Sequence, residues 1–220
     1  MRFVTLLFAV LLNFSCAVKR EIADMPIIFN EERENLTLEY LSERYGLELE
    51  KPTIEPKMVV LHWTVIPTLE KSFQAFNNPS LPNWRPEIAS VSGLNVSAHF
   101  LVDQDGTIYR LMPETVMARH VIGLNHSAIG IENVGGGTKD KKLTPAQLRS
   151  NIWLVRYLKS KYNIDYVIGH YEYTLFEGTE LWLEKNADYR TVKSDPGEKF
   201  IKRVRRATKS LNFKPLPTSK

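Results

Sequence analysis

The sequence predicts an α/β fold, a mixed central β-sheet flanked by α-helices. Three observations predict it. Short apolar runs around Val59-Val60-Leu61, Ile129-Gly130-Ile131 and Tyr166-Val167-Ile168 read as buried strands. Two alternating segments joined by Asp103-Gln104-Asp105-Gly106 read as a hairpin, because Asp-Gly accepts the turn conformation that such connections need. A capped helical pattern from Thr144 to Tyr162 separates two of the apolar runs and so crosses over between strands of one sheet.

Composition sets the outer bounds. The 220 residues are 43% hydrophobic and 25% charged, a globular balance rather than a disordered one. The length suits one domain with extensions, expected as a monomer. Net charge is +4, too small a bias to argue for a nucleic-acid partner. The chain carries no phosphate-binding glycine loop, no RNA-binding aromatic signature and no internal repeat.

Residues 1–17 read as a signal peptide. Arg2 precedes the apolar run from Phe3 to Leu12, and the small residues Ser15, Cys16 and Ala17 follow. The run is too short to span a membrane comfortably, so export to the periplasm or cell envelope is expected. Cys16 is the single cysteine, which excludes an intramolecular disulfide. Two readings of it stand open: the lipidated first residue of a membrane-anchored lipoprotein, or a cleavage-site residue that is discarded. Residues 18–56 form an extension and linker. Asn30 caps a helix there, Glu31 and Glu32 suit its first turn, Leu36, Tyr40 and Leu41 give it an apolar face, and Gly46 stops it. It is expected to pack on the outside of the domain.

The domain proper spans 57–207. Met58 to Trp63 is its first buried strand, and Thr68 caps a short helix through Leu69, Phe73 and Phe76. Asn77 to Gly93, with Pro79, Pro82 and Pro86, is a long irregular loop suited to one wall of a substrate groove. The hairpin strands cover 95–102 and 107–112, and a strand over 128–134 closes at Gly135-Gly136-Gly137. Thr144, Pro145 and Gln147 make a helix start with a capping box. A strand ending at His170, an aromatic and acidic loop from Tyr171 to Tyr189, and a helix from Glu198 toward Ala207 follow. Residues 208–220 are expected to be a loose basic tail.

The chemistry gathers at three places. The runs Val59-Val60-Leu61-His62 and Tyr166-Val167-Ile168-Gly169-His170 each end in a histidine, so neighbouring strands would bring both imidazoles to the rim of one sheet. Lys193-Ser194-Asp195-Pro196-Gly197 is a loop that can deliver a carboxylate to the same point. Two neutral His and one Asp, with a fourth position left for water, is the ligand pattern of a catalytic zinc site.

These stretches, together with Ser97-Ala98-His99-Phe100-Leu101-Val102, Ala118-Arg119-His120 and Asn125 through Glu132, give the chain its family likeness. From about Lys57 to Phe200 it resembles the type 2 zinc-dependent N-acetylmuramoyl-L-alanine amidases, which share their fold with peptidoglycan recognition proteins. The resemblance implies one Zn2+ per chain on His62, His170 and Asp195. It implies Glu132 as the carboxylate acting with the attacking water, and Lys193 as the cation that meets the developing oxyanion. It implies hydrolysis of the amide between the lactyl group of N-acetylmuramic acid and L-alanine, in peptidoglycan or muropeptides. His99, His120, Asn125 and Trp84 are the candidate substrate contacts, with His126 and Trp63 as further groove candidates. Blander readings stand beside these: His99 as a satisfied core histidine, Trp63 as core, Glu132 as a strand carboxylate paired with Arg or Lys. The alternative function is a non-catalytic peptidoglycan-binding module of the same fold, disfavoured by the complete ligand set. A zinc peptidase lacks support because no HExxH motif occurs.

Overall fold

The computed structural model describes residues 21–82, 88, 90–137 and 142–218. The apolar runs become strands where expected: β2 over Met58–Leu61, β5 over Ala128–Asn133 and β6 over Tyr166–Gly169. The hairpin supplies β3 (Phe100–Val102) and β4 (Ile108–Arg110), with Gly106 at φ 92° in the turn. A further strand, β1 (Ile22–Asp24), pairs in parallel with β4. The sheet order is β1-β4-β3-β5-β2-β6, and only β3 and β4 run antiparallel. This is the mixed sheet that the sequence predicts.

Helices cover both faces. α1 (Glu31–Tyr40) begins where Asn30 accepts from the Arg33 N–H, continues as one wider turn over Leu41–Tyr45, and stops at Gly46 with φ 70°. α2 (Leu69–Asn77) is capped by Thr68, and α3 (Pro145–Lys161) by the Thr144–Gln147 box. α4 spans Glu198–Ala207. Strand residues alternate between two clusters, as the pleat requires. Val59, Leu61, Ile129, Ile131 and Val167 face α3 and α4, where Leu154, Val155, Leu158, Ile201 and Val204 complete a closed core. Met58, Val60, Ala128 and Ile168 face the other way, against Val121, Leu124, Tyr173 and Phe176.

Three expectations need correction. The described part of the extension, 21–56, is joined to the domain and does not merely pack on its outside: β1 completes an edge of the sheet, and Arg33 on α1 is fully buried. Its guanidinium donates to the carbonyls of Phe76 (2.8 Å), Asn77 (3.1 Å) and Asn78 (2.5 Å), which caps the carboxyl end of α2. The tail is not loose through residue 218. Lys209–Leu211 form a short turn of 3-10 helix, the Lys214 N–H donates to the Asp165 carbonyl (2.8 Å), and Phe213 and Leu216 pack against the two cores. The first strand and the first hairpin strand are shorter than expected, although the His62 N–H still reaches the Ile131 carbonyl at 2.8 Å. The signal segment with Cys16, and Trp84, lie outside the described residues.

Candidate metal centre and active site

The site is built at the carboxyl ends of parallel strands. Leu61 pairs with Ile131 on one side and Gly169 on the other. One step further along, His62 therefore lies between Glu132 of β5 and His170, the residue after β6. All three belong to the face opposite the closed core. The Lys193–Gly197 loop comes in over this rim, held by the Tyr171 N–H on the Asp195 carbonyl at 3.2 Å.

His62, His170 and Asp195 converge. Their nearest atoms are Nδ1 of His62, Nδ1 of His170 and Oδ2 of Asp195, separated by 2.9, 3.1 and 3.0 Å. All three residues are buried. Bonds of about 2.0–2.1 Å to a tetrahedral zinc place ligand atoms about 3.3 Å apart, close to this triangle.

The protonation pattern also fits. The His120 Nε2 faces the Ala128 carbonyl at 3.2 Å and must donate to it. Its Nδ1 is then an acceptor, and His62 Nε2–H donates to it at 3.0 Å. That leaves a lone pair on His62 Nδ1, aimed at the other two groups. Burial lowers His170 to about 4, and it holds His120 well below its ordinary value together with the neighbouring imidazoles. Burial alone would raise Asp195, but the facing His170 and His62 outweigh it and hold the carboxyl well below the usual carboxylate range. Two imidazole Nδ1 atoms and an ionised carboxylate crowded within 3.1 Å of one another call for a cation between them. The donor set fits a zinc ion.

A cleft of about 520 Å³ opens over this point, lined among others by His62, Trp63, His120, Glu132, Lys193 and Asp195. Glu132 and Lys193 are each half-buried there. Trp63 serves cleft and packing together: its ring lies against Gly136 and Gly197.

The other expected contacts behave differently. His99 is fully buried: Nδ1 accepts from the Gly130 N–H (3.0 Å) and Nε2 donates to the Val116 carbonyl (2.9 Å). Both nitrogens are engaged by backbone, so this histidine ties β5 to the Val116 loop, and it is not among the residues that line the cleft. Asn125 is fully buried as well. Its Oδ1 accepts from the N–H groups of His120 (2.9 Å) and Val121 (2.8 Å), and its Nδ2 donates to the Tyr45 hydroxyl (3.0 Å). It lines the cleft while fixing the loop around His120. His120 does line the cleft, but both ring nitrogens are engaged within the protein. His126 packs edge-on against Tyr45 and does not line the cleft.

Sequence reasoning missed two wall residues. Arg119 donates to the carbonyls of Ser92, Leu94 and Ile88 and to the Tyr189 hydroxyl, and Tyr40 of α1 covers its guanidinium at 5.2 Å. Arg119 thereby joins three segments around the cleft. The motif Ala118-Arg119-His120 marked the place, but backbone acceptors from distant loops leave no trace in a sequence.

The family model for N-acetylmuramoyl-L-alanine amidase matches residues 52–198. The chain belongs to the N-acetylmuramoyl-L-alanine amidase family. The amidase is 34% identical over 113 residues to the endolysin of Escherichia phage T7, an overlap covering 47% of this chain and 72% of the endolysin. It superposes on the N-acetylmuramoyl-L-alanine amidase LysC from Clostridium intestinale URNW with a TM-score of 0.52, at 25% identity over 88% of this chain and 99% of LysC. It shares its fold with AmpD, at a TM-score of 0.53 and 23% identity over 85% of this chain and 94% of that one. The protein is an enzyme of this class, directed at peptidoglycan. Among the described residues, no helix is long and apolar enough to cross a membrane.

Proposed function

We propose that this amidase is zinc-dependent and hydrolyses the amide between the lactyl group of N-acetylmuramic acid and L-alanine, in peptidoglycan or in released muropeptides. The observation that carries this reading is the meeting of His62, His170 and Asp195 within 3.1 Å, on the floor of a cleft that also presents Glu132 and Lys193. When bound, zinc supplies Lewis-acid chemistry, polarising the amide carbonyl and making hydroxide available near pH 7. The protein's own groups do the rest. Glu132 takes the proton of the attacking water and later hands it to the leaving amine. The Lys193 ammonium meets negative charge as it grows on the carbonyl oxygen, in a cleft that excludes part of the solvent. A cleft of about 520 Å³ suits a sugar-peptide fragment. The leader read in residues 1–17 would place the enzyme outside the cytoplasm, tethered to a membrane if Cys16 is lipidated. The mass of the mature N-terminus distinguishes the two fates of Cys16.

The decisive experiment follows stem peptide released from defined muropeptides by mass spectrometry. Release should stop on chelation and return with zinc. His170→Ala should fall to the uncatalysed background with its melting temperature little changed. Full activity after exhaustive chelation, or in His170→Ala, would overturn the assignment.

A further inference from the structure

A polar path enters the metal centre from a part of the chain that the family match does not cover. Tyr45 ends the wide turn after α1, is 5% exposed, and precedes the matched residues 52–198. Its hydroxyl accepts from the Asn125 N–H at 3.3 Å and from Asn125 Nδ2 at 3.0 Å. Asn125 in turn fixes the backbone of His120 and Val121 through Oδ1. The His120 ring bridges the Ala128 carbonyl and His62 Nε2. We propose that Tyr45, Asn125 and His120 form a positioning relay that selects the His62 tautomer with Nδ1 open, and so sets the affinity of the centre for its metal. The inference rests on the zinc reading above.

The relay has a physical task. A neutral imidazole in water has two tautomers, and only one leaves Nδ1 free toward His170 and Asp195. The acceptor at His120 Nδ1 favours that one, because the other would leave two lone pairs facing each other in a buried place. The orientation of His120 is held from two sides. Asn125 fixes its backbone, and Gly130 lies directly beneath its ring. A Cβ at position 130 would stand 2.8 Å from the His120 Cγ, so any side chain there would push the ring off His62. The segment before the family domain is thus a working part of the site, through Tyr45.

The test uses the full chain with Tyr45→Phe, His120→Ala and His120→Asn. Zinc affinity is measured by competition with a chromogenic chelator, the visible spectrum is taken with Co2+ in place of zinc, and melting temperatures are recorded beside both. His120→Ala should bind zinc about 10–100-fold more weakly, the usual cost of losing the partner of a metal-bound histidine. His120→Asn places an amide oxygen near the former Nδ1 and should recover most of that loss. Tyr45→Phe should weaken binding severalfold and shift the cobalt spectrum in the same direction as His120→Ala. Unchanged affinity in Tyr45→Phe and His120→Ala would overturn the relay. So would a loss that follows melting temperature alone, with His120→Asn no better than His120→Ala. A wild-type chain that takes up no zinc sinks the metal reading and the relay together; wild-type binding with indifferent variants sinks the relay alone.

Discussion

The two faces of the sheet are made by the same strands and have opposite uses. Val59, Leu61, Ile129, Ile131 and Val167 turn toward α3 and α4 and pack in one closed apolar cluster, with Arg205 of α4 donating to the Val167 carbonyl beside it. Their alternate neighbours Val60, His62, Glu132, Ile168 and His170 turn the other way, and at the strand ends they become the chemistry. The switch happens at the strand ends: Glu132 is the last residue but one of β5, and His62 and His170 directly follow β2 and β6. Both faces are buried up to that point, so the strands read as continuous apolar runs and not as alternating ones. The lesson is a division of labour by parity: one set of positions packs the closed core, and the interleaved set ends in the candidate reacting groups.

That division can be broken from either side. On the reactive face, Lys193→Met should lower kcat by about 10²–10³-fold while leaving stability in place, the scale of losing one preorganised partner of a developing oxyanion. Single-turnover rates beside a thermal melt check it; a Lys193→Met protein that is equally active would remove this residue from the mechanism. On the closed face, Leu154→Ala should do the reverse. Leu154 is fully buried, and its truncation should cost about 2–5 kcal/mol in denaturant unfolding with the activity of the folded fraction unchanged.

Acid sharpens the contrast through a histidine that serves the fold and not the cleft. His99 is lowered from 6.5 to about 4 by burial. The unfolded chain takes up its proton more readily than the folded one. The stability tied to its neutral form is therefore whole above pH 6.5 and is lost as pH falls from there to about 4. The loss is roughly 3 kcal/mol at most for this one group. Unfolding free energies measured across that window should slope downward toward acid, and His99→Gln should flatten the slope. The mildest expected change lies back at the cap of α3. Thr144 accepts from the Gln147 N–H at 3.0 Å, and Thr144→Ala should cost about 1 kcal/mol of stability with no effect on turnover.

Local features were readable in the sequence. The Thr144–Gln147 box, the Asp105-Gly106 turn, the Asn30 cap and the Gly46 stop all rest on chemistry within a few residues, and each is found in the fold. The three buried strands announced themselves through hydrophobicity, and their terminal histidines through position. β1 did not, because three residues with one strongly apolar side chain carry no period, and its partner β4 lies 86 residues further on. The tail was misread for a similar reason: what fastens Lys214 is Asp165, 49 residues earlier. His99 stands among the substrate candidates because of its place in the family likeness, and Asn125 as a polar group suited to sugar or peptide. Their actual partners are backbone groups and a tyrosine 80 residues away, visible only once the chain is folded.

The strand register has one more consequence. Glu132 on β5 stands beside His62 and His170, each the first residue past β2 and β6, so the sheet itself acts as a ruler, graduated at about 4.8 Å per strand. Distances between the proposed proton carrier and the proposed ligands are then properties of the backbone ladder. Much of the surrounding wall is loop, free to lengthen, shorten or change composition, and such remodelling would alter which glycopeptide is admitted while the spacing of the candidate reacting groups stays the same.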